Sequence, residues 1–272
     1  MKLVMLLGMI YLLLAGGEVQ AQEKETFVLI KTTVGTMKAK LYHDTPVHRD
    51  HFIRLAKAGH YNGTLFYRVM KDFMIQGGSS DSRNASPGQE LGYGEEVAIK
   101  AEILPTHYHK KGALAAPRQP DAVNPRKQSD ISQFYIVHGR TYLPEELQAI
   151  ENKVNKPLKK AIQEKYYTKE KKVILDSLRK LKKVAEFRAI AGEIKEQINR
   201  EWMACTGKLE IPEAKKRDYT TVGGVYHLDN EYTVFGEIVE GLEVIDKIAL
   251  MKTDKNNRPL TDVKIIMVSI LE

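Results

Sequence analysis

One arginine and one glutamine, Arg68 and Gln76, interrupt a stretch of mainly aromatic and aliphatic residues, FYRVMKDFMIQGG, that spans residues 66–78. Burying a guanidinium in such surroundings is costly unless it is paired or hydrogen-bonded, because the charge loses its hydration. The pattern alone leaves two interpretations open. Arg68 is either a surface residue of an edge strand or a charge held ready to stabilise a reacting group.

The motifs of several common enzyme classes are absent from the sequence. It contains no Cys-x-x-Cys pair, no Gly-x-Ser-x-Gly elbow and no phosphate-binding loop ending in Lys-Ser/Thr. The usual sequence motifs of hydrolases and nucleotidases are therefore missing. Two histidine pairs, His48 with His51 and His107 with His109, are spaced as metal ligands can be, but neither has a third ligand in an obvious motif. We therefore expect neither a metal nor another cofactor.

Composition and the first residues indicate an exported globular protein. With 272 residues, 43% hydrophobic and 28% charged, the chain can bury the core of one or two domains. Residues 1–21 combine one lysine, an apolar run and small residues ending at Ala21, the pattern of a cleaved signal peptide. No later segment is apolar and long enough to cross a bilayer, so we expect no stable membrane insertion. The one cysteine, Cys205, excludes a disulfide within the chain.

The net charge of +7 does not indicate nucleic-acid binding. Most of the surplus lies between residues 141 and 219, where lysines alternate with glutamates at helical spacing. Such a mixture is typical of a solvated helix face. We therefore expect no nucleic-acid partner.

Alternating apolar and polar residues predict strands along most of the chain. A hairpin is predicted over residues 27–43 and a strand pair over residues 66–78, and four further strands are expected at 112–116, 133–137, 232–239 and 263–271. Helices are predicted from Pro46 to Gly59 and over residues 242–250. Residues 79–95 are rich in Ser, Asn, Gly and Pro, which predicts a long surface loop.

Residues 141–219, here called the helical block, follow a different pattern. Pro144 suits a helix start and Pro157 predicts a break after the first helix. Apolar residues recur every three or four positions from Ile174 to Ile198, which predicts one continuous helix of about seven turns. We expect two or three helices in the block, which interrupts a β domain.

The stretch FYRVMKDFMIQGG resembles the strand pair of the cyclophilin family of peptidyl-prolyl isomerases. Four further blocks resemble the family in the same order, at residues 45–66, 111–116, 132–136 and 228–236. The resemblance implies a mainly β fold, an eight-stranded antiparallel barrel capped by two helices, with an inserted α-helical subdomain. The expected division is signal peptide 1–21, barrel 22–140 and 220–272, and helical block 141–219, which lies outside the resemblance.

The resemblance implies an enzyme that speeds rotation about Xaa-Pro bonds in proline-containing polypeptides. Rotation is slow because resonance imposes a barrier of about 18–20 kcal/mol. Arg68 would donate a hydrogen bond to the prolyl nitrogen as its lone pair returns in the twisted state. Gln76 would hydrogen-bond the substrate backbone and help aim Arg68. The other positions that match substrate-binding residues of the family are Phe73, Met74, Pro117, Arg118, Gln133, Tyr135, His227, Leu228 and Tyr232.

Several of these positions depart from the common family pattern. Tyr135 stands where many members have Phe, so its hydroxyl should seek a partner. Pro117 replaces a common Ala, and His227 stands where the best-known eukaryotic members carry Trp. Tyr232 replaces their His and is similar to bacterial members, which together with the signal favours a periplasmic location. The departures put tight cyclosporin binding in doubt.

The helical block admits two interpretations. It is an inert addition, or its basic face holds unfolded or acidic clients near Arg68. In the second case, deletion of residues 144–216 is expected to spare turnover of a short Ala-Pro peptide and to slow a protein client. A different class of function also stays open, a proline-peptide-binding chaperone with weak or no isomerase activity. Oligomeric state and the residue preference before proline are left open by the sequence.

Overall fold

The computed structural model describes residues 25–94, 98–130 and 132–271, so the predicted signal peptide lies outside the described residues. Eight strands form one sheet, with two further strands paired separately. The sheet contains β1 (Thr26–Thr32), β2 (Gly35–Leu41), β3 (Arg68–Met70), β4 (Met74–Gly77), β6 (Ala113–Ala115), β8 (Phe134–Val137), β9 (Val234–Glu240) and β10 (Ile265–Leu271). The separate pair is β5 (Ala98–Ile99) and β7 (Ser129–Asp130), which the sequence patterns did not predict.

The eight strands pair in the order β10-β1-β2-β9-β6-β8-β4-β3, and every pairing is antiparallel. The two ends of this order meet through the segments that precede β3 and β10. The Phe66 amide donates to the Val263 carbonyl at 2.9 Å, and the Ile265 amide donates to the Thr64 carbonyl at 2.8 Å. The sheet thus curls back on itself, and the predicted eight-stranded antiparallel barrel is confirmed.

Two helices pack on the barrel core, as predicted. Helix α1 spans Pro46–Lys57 and begins with a proline in its first turn, where the missing amide hydrogen costs nothing. Helix α6 spans Leu242–Ala249. The Phe52 ring of α1 lies 5.5 Å from the Phe134 ring, measured between centroids, and Ile248 of α6 belongs to the same buried core.

The strands nearest the predicted site are buried on both faces. In β8 every residue is buried, although successive side chains of a strand point to opposite faces. Phe134 and Ile136 belong to the core inside the barrel, whereas Tyr135 and Val137 belong to a second apolar cluster on the other face. Met74 of β4 also lies in that second cluster. The sheet therefore offers an apolar surface outside the barrel, which is where a pocket can form.

The helical block contains four helices rather than two or three. They are α2 (Pro144–Tyr166), α3 (Lys169–Lys180), α4 (Val184–Ala204) and α5 (Glu213–Thr221). The predicted break at Pro157 is wrong, because α2 continues through it. Asn155 exchanges two hydrogen bonds with the Leu209 backbone, at 2.7 and 2.8 Å, and such contacts outside the helix oppose the cost of the proline.

The single long helix predicted from residue 174 to residue 198 is also wrong. The chain turns at Lys182, whose φ of 56° is incompatible with a right-handed helix, and α3 then packs against α4. Apolar spacing continues across the turn, so the pattern did not reveal it. Of the stripe, Ile194 is buried, while Leu181 and Val184 are 67% and 55% exposed. No helix among the described residues is long and apolar enough to span a membrane.

The helical block is joined to the barrel by a close crossing of backbones at Gly224. The Gly224 amide donates to the Arg140 carbonyl at 2.9 Å, and a second bridge pairs Gly224 with Lys110. Leu147 of α2 and Tyr219 of α5 are fully buried beside this crossing, in an apolar cluster that also includes Tyr108. The block therefore packs on the barrel surface.

We expect Gly224→Ala to lower the free energy of unfolding by about 1–3 kcal/mol, because a methyl group there overpacks the crossing. Its Cβ would lie 2.3 Å from the His109 carbonyl oxygen and 2.5 Å from the Tyr219 ring. Urea unfolding measures the change.

Gly192→Ala is the matched control, because no atom lies within 4 Å of the added carbon in the middle of α4. It is expected to leave the free energy of unfolding unchanged or to raise it by about 0.5–1 kcal/mol through helix propensity. Equal stabilities of the two variants would contradict the close crossing.

Candidate active site

Strand register places the predicted catalytic side chains in one row. Arg68 of β3 pairs with Gln76 of β4, and Gln76 pairs with Tyr135 of β8. Residues directly opposite each other in neighbouring strands point to the same face of a sheet. The three side chains therefore lie side by side on the outer face, away from the barrel core.

A cavity of about 310 Å³ lies over this row, and we call it the Arg68 cavity. Its size is at the lower end for a small-ligand pocket. It is lined by Tyr67, Arg68, Phe73, Met74, Gln76, Leu91, Gly92, Tyr93, Pro117, Arg118, Tyr135, Leu228 and Tyr232. Of the residues predicted for the site, only Gln133 and His227 are not part of the lining.

Arg68 is half-buried and is held by a neutral partner. Its Nη1 donates to the Gln76 side-chain oxygen at 3.1 Å, and its guanidinium carbon lies 6.0 Å from the Phe73 ring centroid. Among the described residues, no carboxylate forms an ion pair with it. Its positive charge is therefore available to a group that enters the cavity. The surface interpretation of Arg68 is not supported by this placement.

Gln76 is fixed by hydrogen bonds on its other side. Its side-chain nitrogen donates to the Tyr67 hydroxyl at 2.7 Å and to the Gln133 side-chain oxygen at 3.2 Å. Gln133 in turn donates to Asp130 at 2.8 Å and to the Gly92 carbonyl at 3.1 Å. Gln133 thus lies behind the cavity wall and anchors the residue that orients Arg68. Its predicted contact with substrate stays a prediction, since Gln133 is not part of the cavity lining.

Arg118, the second arginine of the lining, is engaged by carboxylates. Its guanidinium donates to Glu231 at 3.0 Å and to Asp121 at 2.5 Å, and only 5% of its side chain is exposed. It also lies over the Tyr232 ring, 4.6 Å from the centroid. Such pairing leaves little net charge for a ligand. Of the two arginines, Arg68 supplies the charge of the cavity.

Apolar side chains form the part of the cavity opposite the polar row. Met74 and Leu228 are buried, and Phe73 is partly buried against the same cluster. The His227 ring stacks on Phe73, 5.8 Å between centroids and inclined by 11°. His227 therefore supports the cavity wall from outside. Phe73, Met74 and Leu228 belong to the outer apolar cluster and not to the core inside the barrel.

Four residues of the lining were missed from the sequence. Tyr67 precedes Arg68, and Leu91, Gly92 and Tyr93 come from the segment predicted as a surface loop. One carboxylate oxygen of Asp81 accepts from the amides of Gly92 and Tyr93, at 2.9 Å each, which holds this segment against the cavity. A loop sequence rich in small polar residues does not predict that the loop folds against the cavity in this way.

The histidines considered as metal ligands have other partners. His48 is buried between Glu102 and Ser129, with ring nitrogens 2.7 and 2.9 Å from their oxygens. His107 contacts Asp44 at 2.7 Å. Burial lowers the pKa of His48 below its usual value, although hydrogen bonding to Glu102 acts in the opposite direction. In the described part of the chain, no group of three or more His, Cys, Asp or Glu side chains is arranged to hold a metal ion.

The Tyr135 hydroxyl has the partner that the sequence required. It lies 2.8 Å from Nε2 of His109, and Nδ1 of His109 lies 3.1 Å from Asp229. Burial lowers the pKa of His109, against the effect of Asp229, which favours the neutral ring at pH 7. A neutral ring that donates to Asp229 through Nδ1 must accept from the tyrosine at Nε2. Burial also raises the pKa of Tyr135, which keeps its hydroxyl a donor.

The fold and this geometry agree with a comparison against protein families. The family described as cyclophilin type peptidyl-prolyl cis-trans isomerase/CLD matches residues 27–156 and 159–270. The chain belongs to this family. The protein is therefore a cyclophilin-type peptidyl-prolyl cis-trans isomerase. The match also runs through the helical block, which the resemblance read from the sequence had left outside.

Curated relatives lead to the same family. A protein of Staphylococcus saprophyticus, assigned as a peptidyl-prolyl cis-trans isomerase, is 27% identical over 91% of this chain and 93% of its own length. In Streptococcus pyogenes, a protein assigned as a bifunctional phosphatase and peptidyl-prolyl cis-trans isomerase is 27% identical over 90% of this chain but only 38% of its own length. Alignments of this length include most of the helical block.

A solved structure supports the fold. The cyclophilin-type peptidyl-prolyl cis-trans isomerase cgd2_1660 of Cryptosporidium parvum superposes with a TM-score of 0.52, over 92% of this chain and 99% of that one. The two sequences are 18% identical. The barrel of this cyclophilin is thus shared with a distant relative.

We expect the free energy of unfolding of this cyclophilin to fall as the pH is lowered from 7 to 5. His48 and His109 have lowered pKa values when folded, so below about pH 6.5 the unfolded chain binds protons that the folded chain does not. Each histidine contributes a slope of up to about 1.4 kcal/mol per pH unit. Urea unfolding at pH 7, 6 and 5 measures the sum, to which His51 and His138 add in the same direction because burial lowers their pKa values as well.

His109→Gln is expected to make the slope shallower, whatever its effect on stability at pH 7. His43→Gln, which replaces an exposed histidine outside the buried cluster, is the control. A native protein equally stable at pH 5 and pH 7 would refute the neutral state of the two buried rings.

Proposed function

We propose that Arg68 is the group that accelerates rotation, acting on Xaa-Pro bonds of polypeptide clients bound in the Arg68 cavity. One observation carries the proposal. The guanidinium is fixed by the neutral amide of Gln76 at 3.1 Å, beside the apolar wall of a cavity of about 310 Å³. A charge held in this way can interact with the prolyl nitrogen while the ring rests on apolar side chains.

The chemistry requires a donor that acts mainly in the twisted state. In the planar imide, resonance delocalises the nitrogen lone pair, so the nitrogen is a poor acceptor. Twisting returns the lone pair to the nitrogen, and a hydrogen bond from Arg68 then stabilises the transition state more than the ground state. No bond is made or broken in the reaction, so placement of one donor is sufficient.

The proline ring must stay in place while the preceding carbonyl turns. Phe73, Met74 and Leu228 form the apolar surface that suits this ring, and Arg68 and Gln76 line the same cavity. We assign Gln76 a second role, a hydrogen bond to the client backbone, in addition to orienting Arg68. Pro117 and Tyr232 complete the lining on the side of Arg118.

We further propose that this isomerase acts outside the cytoplasm, in the periplasm. The support is the sequence of residues 1–21, in which an apolar run is followed by small residues up to Ala21. Its clients are then exported polypeptides whose folding waits for proline isomerisation, a step that takes tens of seconds or more without catalysis.

Arg68→Ala is expected to lower kcat/KM for a short Ala-Pro peptide by about 100- to 1,000-fold, the usual effect of losing a transition-state donor. Exchange NMR of the peptide measures the rate of interconversion directly. Arg188→Ala is the matched control, because Arg188 is exposed on α4, and it should retain the native rate.

An Arg68→Ala protein as fast as native would remove Arg68 from the mechanism. A native protein that binds the peptide without accelerating its exchange would instead favour the proline-binding chaperone.

Expression of the full chain in a Gram-negative host is expected to yield a mature protein that begins at Gln22 and is released by osmotic shock. Intact mass spectrometry of the released protein identifies the first residue. Replacing apolar residues of the run, for example Leu12→Lys, should retain the full-length chain in the cytoplasm. Recovery of the unprocessed native chain after osmotic shock would contradict cleavage.

A further inference from the structure

The floor of the Arg68 cavity is connected to the helical block through a buried carboxylate. Asp229 follows Leu228 in the chain, and only 3% of its side chain is exposed. One of its oxygens accepts from the His109 backbone amide at 2.8 Å and lies 3.1 Å from the His109 ring nitrogen. His109 contacts the Tyr135 hydroxyl at 2.8 Å, so the carboxylate is two hydrogen bonds away from the cavity floor.

The other oxygen of Asp229 is held by α5 of the helical block. The Lys215 ammonium lies 2.6 Å from it, and the Tyr219 hydroxyl donates to it at 2.7 Å. Tyr219 is fully buried and Lys215 is 9% exposed, with its ammonium 4.9 Å from the Tyr108 ring centroid. We call this set, Lys215, Tyr219, Asp229, His109 and Tyr135, the Asp229 network.

The negative charge of the network lies on Asp229 and its positive charge lies on Lys215. Burial by itself would raise the pKa of Asp229, but the hydrogen bond from His109 and the charge of Lys215 lower it below its usual value. His109 is neutral, so the ammonium of Lys215 is the counter-ion of the carboxylate. The helical block therefore supplies the only fixed positive charge within this set of five residues.

We propose that the helical block completes the proline site, with Lys215 and Tyr219 as positioning residues that act on Tyr135 through Asp229 and His109. The proposal rests on the function proposed above, in which the Arg68 cavity holds the proline ring. With Asp229 anchored, the His109 ring presents an acceptor to Tyr135, and the tyrosine hydrogen points away from the cavity. The ring of Tyr135 then offers an apolar face to the client.

Without the anchor, the tyrosine hydroxyl is expected to turn towards the cavity and bind water. A client proline must then displace that water, and a buried hydroxyl that loses its partner carries a desolvation cost. We expect a change in KM rather than in kcat, because the hydrogen bonds of Arg68 and Gln76 are not part of the Asp229 network. This changes the expectation from the sequence that deletion of residues 144–216 spares short peptides, since that deletion removes Lys215.

Lys215→Met is expected to raise KM for a short Ala-Pro peptide by about 3- to 10-fold, the range for loss of one positioned hydrogen bond, with a smaller change in kcat. Tyr219→Phe removes only one hydroxyl from Asp229 and should act in the same direction, which covers the case in which Lys215→Met does not fold. Lys153→Met is the matched control, because Lys153 is an exposed lysine of α2 in the same helical block and lies outside the network.

A double-mutant cycle with Tyr135→Phe separates positioning from general destabilisation. Tyr135→Phe removes only the hydroxyl, and its own KM, whatever its value, is the reference for the second background. Adding Lys215→Met or Tyr219→Phe to it should then leave KM unchanged, because the hydroxyl through which both act is gone. An increase in KM as large in the Tyr135→Phe background as in the native one would overturn the proposal.

The pH profile provides a second readout. The charge of Lys215 lowers the pKa of His109, so its removal raises that pKa, and protonated His109 can no longer accept from Tyr135. KM of Lys215→Met should rise as the pH falls from 8 to 6, while the native KM stays level. The groups that face His109 are Asp229, His227, Lys215, Tyr219, Tyr135 and Tyr232. His227 is present in both proteins and therefore does not distinguish them.

The outcomes distinguish this proposal from the function on which it rests. If Arg68→Ala loses activity but the effects on KM in the double-mutant cycle are additive, the role of the Asp229 network is refuted and the role of the Arg68 cavity is retained. An Arg68→Ala protein with native activity would refute the assignment of the cavity, and the network with it. Parallel pH profiles of the native and Lys215→Met proteins would also refute the network.

Discussion

The register of β3, β4 and β8 decides on which side of the barrel the polar side chains lie. Arg68, Gln76 and Tyr135 are aligned across these strands, and their chain neighbours Val69, Ile75 and Phe134 or Ile136 point into the core. A shift by one residue would exchange the two sets, moving a guanidinium into a space filled by aromatic rings. The strand register that packs the core is therefore the same register that places the Arg68 guanidinium on the outer face.

Much of the barrel and of the site followed from the sequence because local pattern and burial agree there. Arg68, Met74 and Gln76 lie in two short strands and Phe73 lies in the tight turn that joins them, so their relation is set within a dozen residues. Tyr135 required a hydroxyl partner, and the need for one was correctly predicted. The identity of that partner, His109, depends on a contact between strands and loops that periodicity does not encode.

The remaining features depend on contacts between distant segments. Pro157 suggested a helix end, but α2 continues because Asn155 is hydrogen-bonded to Leu209. Apolar spacing could not reveal the turn at Lys182, since the same period continues on both sides of it. The basic character of the block suggested a solvated surface, whereas Lys215 is buried against Asp229. A charge count does not distinguish a lysine in water from one that neutralises a buried carboxylate.

The crossing at Gly224 also bears on the order in which the molecule assembles. The two sides of the bridge, Arg140 and Gly224, are separated by the whole helical block. The length of this loop adds little to the free-energy cost of closing it, since each doubling of loop length costs about 0.6 kcal/mol. Contacts between segments so far apart in the chain nevertheless form slowly. During synthesis, β6 and β8 leave the ribosome before the helical block, and Leu228 and Asp229 leave it after the block. The part of the Arg68 cavity lining that Leu228 provides is consequently synthesised only after the helical block, near the end of the chain.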